Sequence, residues 1–572
     1  MQLRERGGRF MKLFLEALLF FGLSGVLVAC VELPSKVELR GPTDSESHII
    51  RIRSDQRAQV MDGFGASDAW IIDPMIRQWS AQNNEKAINR LADLLFDKQD
   101  GIGLSMWRFN IGAGSAEQGA DSRIPDSLRR AELLISEPGG IVNHSKQIGQ
   151  IEFAQAAAKR GVNDMIAFVN SPPVWATKNG LAHPGSPDDV SLIGSTNLDP
   201  AKRSLFARFQ ADVVRYLRDV RGLPIKYLSP INEPTWHWTD QTQEGNRYNN
   251  REVRDVYLAT YAALVEAGLK DIVEVDGGES VEYLAALSDQ VVTQFSGKPY
   301  SAGVNGEGLG DYRNYINLVL GDAELQPVVG NKISLHGYWS DALPDRIIDL
   351  RRLVKREVEE TSPDARIWMS ELCVLGPATG LRPFDGIGFD VNDMDYALHI
   401  ARIIHHDLVD LEATAWMWWL AVTAYDYKDG LVKVDRSLQA GSISASKLMW
   451  TLGNFSRFIR PGFQRIETDF ISREVRAGAG SELLVSSYIS KSGSDWATVF
   501  VNLSEDPQVV RIESMLTSKG SVSPTSSVEW DIYVTNEAYD LNWVGRTKNS
   551  QLTLPARTIA TLTRSERHES QR

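Results

Sequence analysis

Between residues 61 and 460, apolar runs alternate with amphipathic helical stretches, and this alternation limits the fold more than any other feature of the chain. The runs are MDGFGA (61–66), LSMWRFN (104–110), MIAFVN (165–170), IKYLSP (225–230), IVEVDG (272–277), KISLHG (332–337), RIWMSE (366–371) and ATAWMWW (413–419). Several are apolar almost throughout, as parallel strands buried on both faces are. Between them DPAKRSLFARFQADVVRYLRDV carries Asp199 as an N-cap and Pro200 in the first turn, followed by apolar residues at three-to-four spacing. LPDRIIDLRRLVKREVEE and MDYALHIARIIHHDLVDLE have the same texture. Eight strand–helix units predict an α/β fold, a (β/α)₈ TIM barrel with long loops over 61–460. A doubly wound sheet is the alternative.

The texture changes after residue 460. ELLVSSYIS, WATVFVNLS, SVEWDIYVT and SQLTLPARTIATLTR are short, alternating or β-branched, and separated by turn residues. They predict an appended β-sandwich side domain over 461–566, and the residues after it, 567–572, read as a disordered tail. HIIRIRSDQRAQV (48–60) is strand-like too, so the segment 31–60 is expected to contribute strands to the sandwich. At the N-terminus, MKLFLEALLFFGLSGVLVAC has a basic start, an apolar core and small residues before Cys30. It reads as a lipoprotein-type signal peptide over 1–30, with Met11 a more typical start than Met1 and LVAC placing a lipid on Cys30. A plain signal peptide or short membrane anchor is the alternative. The expectation is an exported protein of the bacterial cell envelope, lipid-anchored in the periplasm or at the cell surface, touching membrane through Cys30 alone.

Charge and cysteine usage narrow the chemistry. A net charge of −13 argues against a nucleic-acid partner. The two cysteines, Cys30 and Cys373, form no metal-ligand cluster, so neither a metal nor another cofactor is expected.

Catalysis in such a barrel sits at the C-terminal ends of the strands. Those ends supply Asp68 and Trp70, Arg108 and Asn110, Asn170 and Trp175, Asn232 and Glu233, Glu279, His336 and Tyr338, Glu371, and the pair Trp418 and Trp419. Carboxylates, amides and aromatic rings without a glycine cradle for phosphate make the site of a sugar-cleaving enzyme. Glycoside cleavage needs two carboxyl groups flanking one bond, one protonated and one ionised. Glu233, framed in SPINEPTW, and Glu371, in RIWMSELC, are the pair, and they are expected to converge to about 5–5.5 Å across the barrel mouth. Aromatic faces would hold the C–H face of a pyranose.

SPINEPTW and RIWMSELC resemble the acid/base and nucleophile segments of retaining glycosidases built on (β/α)₈ barrels. With DGFGASDAW, LSMWRFNIGAG, NSPPVWATKNG, SLHGYW and LPARTIATLT, the chain resembles glycoside hydrolase family 30 from about residue 50 to 565. The nearest branch is that of O-glycosyl hydrolases similar to endo-β-1,6-galactanase. The resemblance implies Glu233 as general acid/base and Glu371 as nucleophile. It also implies that Arg108, Trp175, Asn232, Tyr338 and Trp418 or Trp419 shape the subsite where the bond breaks. Many members carry Trp-Ser-Pro-Pro in the third loop, and Asn170 stands here in place of the tryptophan. That departure fits the galactanase-like branch better than the xylanase-like one. The resulting expectation is a retaining hydrolase acting by double displacement on a poly- or oligosaccharide. A β-xylanase or glucuronoxylanase, a β-glucosidase or a β-1,6-glucanase is the alternative on the same scaffold, and a non-catalytic glycan-binding lipoprotein the alternative from another class.

Plainer readings stand beside several residues. Glu279 is either a third active-site carboxylate or a charge at a helix N-terminus. His336 either touches substrate or pairs with a carboxylate. His405 and His406 belong to an outer helix rather than a metal site, Cys373 reads as packing, and NIGAGSAEQG as a loop lining the cleft. WMWW, alternating along a strand, divides between core and cleft wall.

Overall fold

The computed structural model describes residues 48–186, 196–239, 241–292, 311–341, 346–375, 383–471, 482–516, 522–523, 529–548 and 550–565. The expected leader, its lipid box at Cys30 and the tail 567–572 lie outside these residues.

The first strand, β1, is His48–Val60. The barrel strands follow: β2 (Gly63–Ser67), β3 (Met106–Ile111), β4 (Asp164–Val169), β5 (Ile225–Ser229), β6 (Glu274–Val275), β7 (Gly278–Ser280), β8 (Lys332–His336), β9 (Arg366–Glu371) and β10 (Ala415–Thr423). Their order in the sheet is β6-β5-β4-β3-β2-β10-β9-β8-β7. The pairings along it are parallel. The ends of this path, β6 and β7, share the fifth strand's place: β6 lies within the predicted run 272–277 and β7 follows that run. Asp276 and Gly277 separate them, β6 pairs with β5 and β7 with β8, and the ring closes at this break. Gly278 permits the break. Its φ is +113°, and a Cβ there would meet the Ser334 carbonyl oxygen at 2.4 Å. The predicted strand 272–277 is therefore shorter than expected, and Glu279 belongs to a strand of its own.

Side-chain alternation decides what each strand offers the barrel mouth. Met106, Ile166, Tyr227, Trp368, Ala415 and Met417 point inward and form one small cluster, the barrel floor. Trp107, one residue on from Met106, points outward onto Phe96 and Phe153 at ring distances of 5.1 and 5.6 Å. Two steps above the floor, the inward positions are Arg108 and Phe168; two further are Asn110 and Asn170. On β9 the count is broken. Leu335 pairs with Met369 but His336 pairs with Glu371, so Ser370 is an extra residue. The bulge returns Glu371 to the inward face, where strict alternation from Trp368 would have turned it outward.

The amphipathic stretches form the outer layer. Asp199 caps a short 3₁₀ turn, Pro200–Lys202, which runs into the helix Arg203–Arg215. Asp349–Thr361 and Met394–Val409 are the other two predicted helices, the latter capped by Asp393. His405 and His406 are buried in that last helix, and the His406 ring bonds Asp410 at 2.7 Å.

After the barrel come β11 (Gly430–Lys433), beside β10, and β12 (Ser444–Ala445). The side domain contains β13 (Gln464–Ile471), β14 (Leu483–Ile489), β15 (Asp495–Asn502), β16 (Gln508–Leu516), β17 (Val522–Ser523), β18 (Trp530–Thr535), β19 (Asn542–Thr547), β20 (Gln551–Leu554) and β21 (Thr558–Ser565). Pro555 divides the predicted last strand into β20 and β21. The strand order is β17-β16-β1-β13-β14-β15-β21-β18-β19, with β20 against β16. One core serves it, drawn from Ile50 and Ile52 of β1 as well as Phe500, Ile512, Ile532 and Leu562. The outer face of the same sheet is apolar too: Leu484, Tyr488, Val499 and Ile559 belong to the barrel's hydrophobic core.

Candidate active site

Glu233 follows β5 by four residues and its backbone is held in an uncommon conformation, φ +44°. Its N–H donates to the Glu279 carbonyl at 3.0 Å, and its own carbonyl accepts from the Trp238 indole at 3.2 Å. Trp238 lies over Gly245, where a Cβ would meet the ring at 2.2 Å. The Asn-Glu-Pro segment is thus locked in place on both sides.

Glu371, delivered by the β9 bulge, receives the Tyr338 hydroxyl at 2.7 Å on one oxygen and the Arg108 guanidinium on the other. Arg108 also donates to Glu279 at 2.8 Å and reaches Asn232 Oδ1 at 3.5 Å. The guanidinium lies over the Phe168 ring, 4.3 Å from its centroid. His336 is hydrogen-bonded through Nδ1 to Glu233 at 3.0 Å and through Nε2 to Glu279 at 2.8 Å. A side-chain atom from each of Glu233, His336 and Glu371 lies within 4.8 Å of the others.

Burial and charge act differently on the groups of the cluster. Burial pushes Glu233 up to about 6, with the nearby charges of Glu371 and Glu279 adding to it and His336 opposing. Burial disfavours the His336 cation, but Glu371, Glu233 and Glu279 outweigh it and raise the ring to about 10. Glu279 is fully buried, yet Arg108 foremost and His336 next hold it below the usual carboxylate range.

The remaining predicted residues divide. Asn232, Tyr338 and Asn110 lie in or beside the cluster, and Asn170 donates to Asn110 Oδ1 at 3.4 Å. Trp419 points inward, edge-on to half-buried Trp70 at 5.5 Å and 6.4 Å from Phe168. Trp418 corrects the expectation. It faces outward, stacks on Trp416 at 6.2 Å, bonds the Asp429 carbonyl at 2.9 Å and is wholly buried, because alternation puts it on the helix side of β10. Asp68 also differs. Its oxygens accept from the Trp107 indole at 3.2 Å, the Asn110 N–H at 2.8 Å and Gln150 at 2.9 Å, so it braces the ends of β2 and β3 and offers nothing to a sugar. Trp175 bonds the Ile135 carbonyl at 3.1 Å and sits edge-on to Phe209 at 6.0 Å, half-buried in the third loop. Glu279 is the third carboxylate rather than a helix-terminal charge, and His336 pairs with carboxylates. Cys373 is packed in the core.

Two features escaped the sequence reading. Trp236 and Trp339, both half-buried, stack at 5.4 Å and 26° between the fourth and sixth loops. They were visible as aromatic residues after strands, but their pairing was not. Glu244 is fully buried and accepts from Ala113 N–H at 2.9 Å and from the Ser115 N–H and hydroxyl at 3.2 and 2.6 Å. It ties the loop after Glu233 to NIGAGSAEQG, and burial pushes its carboxyl up to about 7. Nothing in its local sequence, QEGNRY, distinguishes it from a surface acid.

Residues 47–433 match the model of O-Glycosyl hydrolase family 30. The chain belongs to that family. An endo-beta-1,6-galactanase from Hypocrea rufa is 22% identical over 448 residues, covering 74% of this chain and 77% of that protein. Among solved structures, a conserved exported protein from Bacteroides fragilis superposes with a TM-score of 0.74 at 25% identity, over 90% of this chain and 100% of that one. The catalytic domain of GH30 xylanase C from Talaromyces cellulolyticus gives 0.61 at 18% identity, over 90% and 100%. The family 30 chain described here is thus a glycoside hydrolase on a TIM barrel with an attached β-sandwich.

Proposed function

We propose that this family 30 hydrolase cleaves its polysaccharide with retention, by double displacement, and that the substrate is a β-1,6-linked galactan. The observation that carries the mechanism is that one carboxylate oxygen of Glu233 lies within 4.8 Å of one of Glu371. Retaining enzymes place their carboxyls about 5–5.5 Å apart, whereas inverting ones leave about 6.5–9.5 Å for a water. Glu371, ionised and aimed by Arg108 and Tyr338, attacks the anomeric carbon. Glu233, kept protonated by burial, gives its proton to the departing oxygen. A glycosyl ester forms on Glu371. Glu233, now ionised, takes a proton from water, which attacks the same carbon and breaks the ester. The stacked Trp236–Trp339 pair offers an aromatic face beside the bond being cut.

The substrate assignment rests on the galactanase relative and on Asn170 standing where a tryptophan wall is expected. Hydrolysis of matched β-1,6-galacto-, β-1,6-gluco- and β-1,4-xylo-oligosaccharides tests it, with product lengths recorded. Faster turnover of either of the latter two sets would replace galactan as the substrate. Export and lipidation at Cys30 complete the reading. Mass spectrometry of the mature N-terminus, with loss of membrane association in Cys30→Ala, checks them.

A further inference from the structure

We propose that Glu279 is a positioning residue that fixes the charge of the catalytic pocket, holding His336 as an imidazolium and, through His336 and Arg108, aiming both glutamates. The inference rests on reading Glu233 as the proton donor and Glu371 as the nucleophile.

Glu279 touches both halves of the machinery without facing the cleft. One carboxylate oxygen receives Arg108 and His336, each at 2.8 Å. Its carbonyl receives the Glu233 N–H at 3.0 Å. It therefore grips Glu233 twice, at the backbone and through the far side of the His336 ring. It reaches Glu371 through Arg108 and through His336, whose Nδ1 lies 3.6 Å from the Glu371 carboxylate. The break between β6 and β7 makes this possible, since the +52° φ of Glu279 follows directly on Gly278. Its exposure is 0%, so it cannot be reached by a sugar.

The charges facing the group come from every surrounding element. Arg108 comes from β3, Glu233 follows β5, His336 ends β8, Tyr338 follows it and Glu371 ends β9. Below them Asp276, before β7, is neutralised by Lys332 of β8. With Glu233 protonated, two cations (Arg108, His336) balance two anions (Glu371, Glu279). Removing the charge of Glu279 leaves an excess positive charge around Glu233, which favours loss of the proton that Glu233 must donate.

Two measurements decide the matter. ¹⁵N NMR of histidine-labelled protein, with His336 assigned from His336→Gln, reads the ring directly and needs no substrate. His336 is expected to keep both ring protons through pH 8. In Glu279→Gln its midpoint is expected to fall by about one unit or more. A wild-type midpoint near the free value of about 6.5, or no change in Glu279→Gln, overturns the proposal. The second measurement is the pH profile of kcat/KM. Glu279→Gln moves the alkaline limb down by about one unit, and His336→Gln, which removes a cation, moves it up. Glu279→Asp, which keeps the charge, leaves it near the wild-type position and serves if the Gln variant does not fold. Uniform loss at every pH with unmoved limbs would show a structural role only and overturn the proposal. If wild-type protein hydrolyses none of the oligosaccharides, the hydrolase reading fails while the NMR result still judges Glu279.

Discussion

At the scale of single residues, the two glutamates proposed for catalysis have the same side chain and different surroundings. Glu371 is held by two donors, the Tyr338 hydroxyl and the Arg108 guanidinium. Glu233 is buried and is hydrogen-bonded through its carboxyl to His336. Glu371→Gln removes the proposed nucleophile and is expected to lower kcat by at least about a thousandfold. Oligosaccharide binding should survive, as calorimetry on the variant would show. Substantial residual turnover would remove Glu371 from that role. The pH dependence follows from Glu233, whose pKa is raised to about 6. A general acid works while it holds its proton, so kcat/KM is present below that value and is lost as pH rises through it, about tenfold per unit. A pH–rate profile that stays flat up to pH 8 contradicts the assignment. In Glu233→Gln the loss of kcat/KM should be large for sugar leaving groups and small for activated aryl leaving groups, which depart without a proton, while kcat on the aryl glycoside falls for want of a base to activate water. Azide should restore turnover of the aryl glycoside.

At the scale of elements, the strands were legible because both their faces are buried, and the helices because their apolar stripes repeat at three-to-four spacing. The site was legible because a barrel gathers its strand ends at one mouth, so residues such as Asn232, Glu233 and Glu371 could be read off one strand at a time. What could not be read is register. The Ser370 bulge, the split at Gly277 and the outward turn of Trp418 depend on neighbouring strands, and local sequence carries no trace of them. Asp68 looked free because its partners Trp107, Asn110 and Gln150 come from elsewhere. The outer layer also carries a buried ionic knot that the sequence did not suggest. Asp407 accepts from Arg351 at 2.7 Å, Tyr283 at 2.7 Å and Trp416 at 2.9 Å, joining three helices, Met394–Val409, Asp349–Thr361 and Tyr283–Ala286, to β10. Asp407→Ala leaves Arg351 buried without its carboxylate and is expected to cost about 3–5 kcal/mol of stability. Urea denaturation measures it; a loss under about 1 kcal/mol would mean that the cluster contributes little beyond packing.

At the scale of the whole molecule, the sandwich is part of the barrel's support. β1 precedes the barrel and pairs with β13 and β16, which follow it. The helix Lys447–Ser456 is buried between the two, where Asn454 donates to Thr535 at 2.6 Å and accepts from Thr561 at 3.0 Å. Lys447 reaches the Asp540 carboxylate at 2.6 Å. Calorimetry should therefore show one unfolding transition, and a chain cut after residue 460 should fail to fold, exposing the apolar surface that Leu484, Tyr488 and Ile559 cover. A soluble, active truncation would show that the barrel stands alone.

The claim on which the mechanism rests is that Glu233 and Glu371, brought together from two strands, act in two successive displacements at one carbon. Proton NMR of the first sugar released, recorded before mutarotation, reads this directly. The β-anomer is expected from a β-linked chain. Initial release of the α-anomer would mean a single displacement by water, which carboxylates this close leave no room to direct.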